Sequence, residues 1–166
     1  MPHDTDPDGA TALTICPATS QDLDQVVALD ARVTGTAKPE YWHDIFERYG
    51  ARRPDERFFL VAKPAGDGDA GRDTIFGFIV GEVRGWEFGS EPCGWVFAVT
   101  VDPDRREQHI GERLFRDICA RFKQVGIGKV RNMVRRDDTL VMSFFRSEGM
   151  VAGPYIQLEL DLNDLD

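Results

Sequence analysis

With 166 residues, the chain is one domain by length and has room for a proper core. Its hydrophobic and charged fractions, 42% and 30%, are those of a globular protein, and no apolar run approaches the roughly 18 residues needed to cross a membrane. A net charge of −9 excludes a general nucleic-acid binder, which needs a basic face to displace counterions, and leans toward cationic partners such as amines.

The opening stretch, MPHDTDPDGATA, has neither the basic start nor the apolar centre of a signal peptide. It reads as a frayed acidic tail over residues 1–12, with a single domain over 13–166 and a cytoplasmic location. Three cysteines, Cys16, Cys93 and Cys119, lack paired spacing, so neither a disulfide scaffold nor a zinc site is expected. Leu13 to Pro17 reads as a first strand. Thr19 with Asp22 three residues later has the form of a capping box, and Leu23, Val26, Val27 and Asp30 then run at helical spacing toward Gly35. A second helix starts at Pro39, with Tyr41, Trp42, Ile45, Phe46 and Tyr49 on its apolar face and Gly50 as its stop. Trp42 and Phe46 are expected in the core, and Tyr41 or Tyr49 is a possible substrate contact.

Arg57 to Lys63 predicts a second strand, and the Gly- and Asp-rich run after it a hairpin loop. Ile75 to Val83 is a third strand, whose Gly77 and Gly81 suggest bends or close backbone approach. A long turn leads into the central strand, Val96 to Val101, which Pro103 ends because proline cannot donate to a ladder. Asp104 to His109 are polar. Ile110 and Gly111 then open a strong helix, with Leu114, Ile118 and Phe122 at four-residue spacing. A fifth strand follows at Lys129 to Val134. Asp138 to Glu148 reads as a helix with Leu140, Val141, Phe144 and Phe145 inward, and Tyr155 to Leu162 as a last, one-sided strand. The order is α+β, with a mixed, mostly antiparallel central sheet flanked by helices. The antiparallel strands before the central one count against a doubly wound nucleotide binder, in which strand and helix alternate from the start.

Strand, polar turn, helix N-terminus is an arrangement for holding an anion, because the first helical N–H groups are unpaired and carry the positive end of the helix dipole. Neither a Walker loop nor a GxGxxG turn is present. Of the arginines concentrated in the central third (Arg105, Arg106, Arg113, Arg116, Arg131, Arg135 and Arg136), a subset facing cofactor phosphates is the sharper reading, and solvated surface the plainer one. The run from Val101 through Pro103, Arg106 and His109 to Gly111 resembles the acyl-CoA-binding motif of the GNAT acetyltransferase superfamily, V-x-P-x-x-[QR]-x-x-G-x-[GA]. His109 stands where that motif has its middle glycine. The flanking elements come in the family's order from about Thr14 to Leu162.

The resemblance implies a GNAT-like acyl-CoA N-acyltransferase fold, acetyl-CoA as cofactor with CoA as product, and the amine of a small molecule or peptide as acceptor. It implies that backbone groups of Val99, Thr100 and Val101 hold the pantetheine arm. The pyrophosphate falls to the turn and first helical residues: Arg106, Glu107, Gln108, His109, Ile110, Gly111 and Glu112. Relatives place a glutamate base where this chain has Trp95, and a tyrosine acid where it has Phe145. Phe145 can still pack at the pantetheine end, and Asp138 can still relay a hydrogen bond. Glu82 is the catalytic candidate that remains, with Glu87 and Glu91 behind it. His109 has no partner at i+4, so no metal is expected. An N-acetyltransferase, a catalytically silent CoA-binding sensor and a nucleotide-binding domain are the three readings open at this stage, with monomer and homodimer equally compatible.

Overall fold

The computed structural model describes residues 12–66 and 74–165. The acidic stretch before residue 12 and most of the predicted loop after β2 lie outside the described residues. The chain divides into two compact units, Met1–Met133 and Val134–Asp166.

In the first unit, the apolar runs read as strands form one five-stranded sheet in the order β1-β2-β3-β4-β5. β1 is Leu13–Pro17, β2 Arg57–Pro64, β3 Gly77–Arg84, β4 Cys93–Val101 and β5 Val130–Arg131. The first four pair antiparallel in sequence order, and β5 joins β4 in parallel, so the sheet is mixed. β5 is shorter than the predicted 129–134, because ladder pairing with β4 covers only Val130 and Arg131.

Each face of the sheet is covered by the helices whose stripes the sequence showed. On one face lie α1, Leu23–Thr34, and α2, Pro39–Ile45, which runs on into a π-turn at Phe46–Gly50. Their core joins Val26, Leu29, Trp42 and Ile45 to Phe59, Val61, Phe78 and Val80, all buried. Asp30, also buried, ties the two helices together by accepting from Trp42 Nε1 at 3.0 Å and pairing with Lys38 at 2.9 Å. Gly35, at φ 80°, ends α1. Ahead of α1, the Asp22 carboxylate accepts from the Thr19 N–H at 2.8 Å and meets Lys63 at 2.6 Å, so its buried charge is neutralised.

On the opposite face lies α3, Ile110–Gln124. Ile110, Leu114, Ile118 and Phe122 are wholly buried, each such side chain being worth about 1.5–3 kcal/mol relative to exposure. The sheet makes room for this stripe with glycines. A Cβ on Gly81 would lie 2.7 Å from the Trp95 carbonyl oxygen and 3.0 Å from Ile118, and one on Gly94 2.7 Å from the Phe122 ring.

The second unit holds α4, Thr139–Ser147, which Gly149 terminates at φ 89°. The Asp138 side chain caps α4 by accepting from the Val141 N–H at 3.1 Å. Phe145 is buried, its ring edge-on to Phe144. Leu140, expected inward, is 61% exposed, since it sits in the first turn away from the Phe145 side. The predicted last strand is also corrected. Residues 155–161 have no regular secondary structure and pair with no strand, and a short 3-10 turn, Leu162–Asp164, follows. Alternation alone does not make a strand where no ladder forms.

The close approach at Gly81 has a measurable consequence. Gly81→Ala should destabilise the protein by about 1–3 kcal/mol through overpacking against β4 and α3, read as a lower midpoint in urea denaturation at unchanged slope.

Candidate active site

β4 is the strand on which the site is built. At its start both edges are paired, Gly94 and Trp95 lying opposite Val130 and Arg131 of β5. From Val96 onward only β3 remains: Val99 pairs with Ile79, Thr100 with Phe78, and Val101 with Gly77. The other edge of β4 is thus left without a ladder, among the described residues, along the stretch where Val99, Thr100 and Val101 were expected to bond a ligand. The register shifts between Val80 and Gly81, whose partners are Ala98 and Val96, so Phe97 is the extra residue of a bulge. A bulge bends its strand and strengthens the local twist.

Beyond Val101 the chain turns through a 3-10 segment, Pro103–Gln108, into α3. Asp102 accepts from the Asp104 N–H at 3.0 Å, and its own N–H donates to the Phe76 carbonyl at 2.8 Å. Arg32, at the end of α1, pairs with Asp102 at 3.2 Å and Asp104 at 3.0 Å, which neutralises the acids of the turn. The Arg105 guanidinium lies 3.8 Å from the centre of the Phe76 ring. Arg113 donates to the Leu13 carbonyl at 2.7 Å, Arg131 to Ser90 at 2.9 Å, and Arg116 pairs with Glu112. Within the turn, Arg106 and Glu107 are exposed.

His109 is the N-cap of α3, in the left-handed region at φ 54° and ψ 26°. It therefore takes the conformation a glycine would supply. Its ring leans on Glu112, Nδ1 to Oε2 at 3.0 Å, and makes no capping bond to the helix. The N–H groups that open α3 are thus left to a ligand or to water.

Glu82 lies on the α1–α2 face of the sheet, directly across from Trp95 in the β3–β4 register and from Arg57 in the β2–β3 register. Arg84 Nε is 2.9 Å from its carboxylate and Arg57 Nε 3.9 Å. Arg84 also stacks on the Trp95 ring at 4.9 Å, and Arg57 on Tyr49 at 5.1 Å. Tyr49 meets the bulge residue, its ring edge-on to Phe97 with centroids 5.0 Å apart. Partial burial, then the charge and hydrogen bond of Glu82, push the Tyr49 phenol above its ordinary pKa. Glu87 and Glu91, by contrast, are exposed in the turn before β4. Asp138 and Phe145 belong to the second unit described above.

The family model described as "Acetyltransferase (GNAT) family" matches residues 23–150. This chain belongs to the GNAT acetyltransferase family. None of the curated protein sequences matches it. Solved structures share the GNAT fold at low identity. Aminoglycoside N-acetyltransferase AAC(6')-Iy, solved with CoA, aligns at TM-score 0.76 and 12% identity, over 95% of this chain and 99% of that one. The 6'-N-acetyltransferase AAC(6')-Ih from Acinetobacter baumannii aligns at TM-score 0.71 and 14% identity, over 91% and 99%. A transcriptional regulator from Bacillus halodurans C-125 aligns at TM-score 0.72 and 19% identity, over 91% and 100%.

Sequence reasoning missed two features of this GNAT chain. Arg32 gave no signal, because only the fold brings the end of α1 to the turn after β4. The grouping of Tyr49, Arg57, Glu82 and Arg84 needed the strand register, which alternation within one strand does not give.

Two outcomes follow. His109→Val should destabilise the protein by about 1–2 kcal/mol, since a β-branched residue resists the left-handed region. His109→Gly should change stability by less than about 1 kcal/mol, relief of strain offsetting glycine's entropy; denaturant titrations of both variants check the contrast. The Tyr49 shift has a sign. A folded pKa above the unfolded one means the stabilisation is whole below the ordinary value of 10.0 and is lost as pH rises through the folded value. Wild type should therefore lose stability relative to Tyr49→Phe as unfolding is measured from pH 9 upward.

Proposed function

We propose that this chain is an acetyl-CoA-dependent N-acetyltransferase acting on the primary amine of a small molecule or peptide, with residues 13–166 working as one domain in the cytoplasm. The observation that carries the reading is the run of β4, unladdered on one edge from Val96, into an α3 N-terminus whose N-cap side chain makes no capping bond. A strand edge offers alternating donors and acceptors to an amide-bearing arm, and a helix start offers N–H groups to phosphate. That donor set fits CoA.

On this reading, backbone groups of Val99, Thr100 and Val101 hold the pantetheine arm. Those of Arg106, Glu107, Gln108, His109, Ile110, Gly111 and Glu112 hold the pyrophosphate, with the Arg106 guanidinium beside it. Bound acetyl-CoA supplies an acyl group activated as a thioester. Glu82 takes the proton from the acceptor ammonium at its carboxylate, and the apolar surroundings of Phe97 and Trp95 favour the neutral amine. The overall charge of −9 suits a cationic acceptor.

A second reading, a CoA-binding sensor without catalysis, also has an observation in its favour. Arg84 and Arg57 already engage the Glu82 carboxylate, and the chain has Trp95 and Phe145 where relatives have base and acid. Both readings expect acetyl-CoA to bind and raise Tm. At a hundred times Kd the gain is about 2.7 kcal/mol, or roughly 5–10 °C for a chain of this length. Gly111→Val should remove that shift while far-UV circular dichroism stays native. Acetylated product from a panel of amines and peptides separates the two readings. For the enzyme, Glu82→Gln should lower kcat about tenfold to a thousandfold and leave the acetyl-CoA thermal shift intact. Bound acetyl-CoA with no product from any acceptor would leave only the sensor.

A further inference from the structure

Glu82 meets more positive charge than it can neutralise. Arg84 Nε lies 2.9 Å from one oxygen of its carboxylate, and Arg57 Nε 3.9 Å from the other. One carboxylate thus faces two guanidinium groups, in a chain whose overall charge is −9. Arg48, whose carbonyl Arg57 bonds, is already paired with Asp44 and adds nothing to the imbalance. The Glu82 side chain is 15% exposed, and those of Arg57 and Arg84 25 and 35%, so water screens the surplus only in part.

The surplus is also one of hydrogen-bond donors. A guanidinium presents a planar fork of N–H groups matched to the two oxygens of a carboxylate. Arg57 spends one donor, on Nη1, on the Arg48 carbonyl at 2.9 Å, and Arg84 only Nε, on Glu82. Both terminal amino groups of Arg84, and Nη2 of Arg57, have no acceptor among the described residues. Aromatic rings hold the two forks in place. Arg57 lies on Tyr49 at 5.1 Å and Arg84 on Trp95 at 4.9 Å, and Tyr49 is itself backed by Phe97. Donors ordered in advance lose little freedom when an anion docks.

We propose that this cluster binds an acceptor that is an amino acid, Arg57 and Arg84 taking its carboxylate and Glu82 its ammonium. The fate of the amine rests on the acetyltransferase reading; the binding of the carboxylate does not. An α-amino acid carries its two opposite charges on one carbon. The Arg84–Glu82 contact sets opposite charges side by side in the same way, so one small molecule meets both at once. A bare amine would bring a cation to Glu82 with two guanidinium groups left uncompensated beside it. The acceptor carboxylate also frees the base. As it takes over the Arg84 fork, the Nε contact with Glu82 loosens, and the ammonium gives one proton to the Glu82 carboxylate. The amine nitrogen then bonds the acetyl carbon as the carbon–sulfur bond of the thioester breaks. The electron pair leaves on sulfur, and the second proton of the nitrogen goes there to give the CoA thiol.

Acceptor binding and turnover, read separately on the full chain at pH 7, test this. The probes are the proteinogenic L-amino acids, each beside its α-carboxamide, which keeps the amine and removes the anion. Calorimetry on protein saturated with CoA should find an amino acid that binds at least about tenfold tighter than its amide, as hydrogen bonds to a charged group allow. With acetyl-CoA, the same amino acid should be preferred by a similar factor, mostly through KM. Arg84→Gln and Arg57→Gln should each remove most of that preference, and Arg84→Lys, which keeps the charge but not the fork, should restore part of it. Amides bound and acetylated as well as the acids would overturn the proposal and leave the acetyltransferase reading standing. A preference that survives both Gln variants would also overturn it, as would the absence of binding by any acid. Acids bound in preference to amides but never acetylated would instead support the site and sink the acetyltransferase reading. If the variants fail to fold, the wild-type comparison of acids with amides decides alone.

Discussion

The docking of α3 on the sheet is the constraint from which the site follows. Its buried stripe runs from Ile110 to Phe122, and its far end lies over Gly94, where any side chain would strike the Phe122 ring. Sliding the helix by a turn would drive bulky residues onto positions that now accept them only because the sheet carries glycine there. Packed interiors tolerate such shifts poorly. The register of α3 on the sheet is therefore fixed, and with it the place of the first helical turn, one short 3-10 segment beyond the end of β4. The start of α3 is thereby held close to the end of β4, whose far edge has no ladder from Val96 onward among the described residues.

Charge is then arranged so that the turn does not repel what its backbone attracts. Asp102 and Asp104 lie within it, and Glu112 lies in the first turn of α3. Left alone they would oppose an anion at the helix start. Arg32 reaches from α1 to the first two, and His109 and Arg116 meet the third. An exposed pair of this kind contributes little to stability, at most about 1 kcal/mol. Its effect on local potential is larger in proportion, because it cancels like charge within a few ångströms of the helix N–H groups. The acidic balance of the whole chain can therefore coexist with the phosphate-binding role proposed for this turn.

What the sequence made legible is what short-range physics decides. β1 at Leu13–Pro17, the start of α1 after Thr19 and Asp22, Pro39 at the head of α2, and the full apolar stripe of α3 all follow from period, caps and breakers within a few residues. The glycines of β3 signalled close approach, though not to which atoms. Features that depend on which strand lies beside which stayed hidden. Glu82 could be named as a carboxylate but not placed across from Trp95, since a one-residue slip in register would move it to the other face. The alternation of 155–162 was read as a one-sided strand, and the structure gives the segment neither a ladder nor a buried face. A strand exists only where another chain segment meets it, and alternation says nothing about where that segment is.

The register that puts Glu82 opposite Trp95 bears on how a family member can lose its carboxylate from β4 and keep a use for one. Residues directly across an antiparallel pair have Cβ atoms about 4.5–5.5 Å apart, comparable to the length of a glutamate side chain. A carboxylate on β3 can thus serve nearly the same space as one on β4, while the β4 position is free to carry an aromatic ring. The move has a cost visible here. Arg84, also on β3, spans both positions, its guanidinium on the Trp95 ring and its Nε 2.9 Å from Glu82. For Glu82 to accept a proton this contact must loosen as an acceptor arrives, or the acceptor must lose its proton to water first. The ion pair that orders the carboxylate is also the one that restrains it. On the proposed role of Glu82 as base, proton transfer would therefore turn on the mobility of Arg84, and not only on the basicity of the carboxylate.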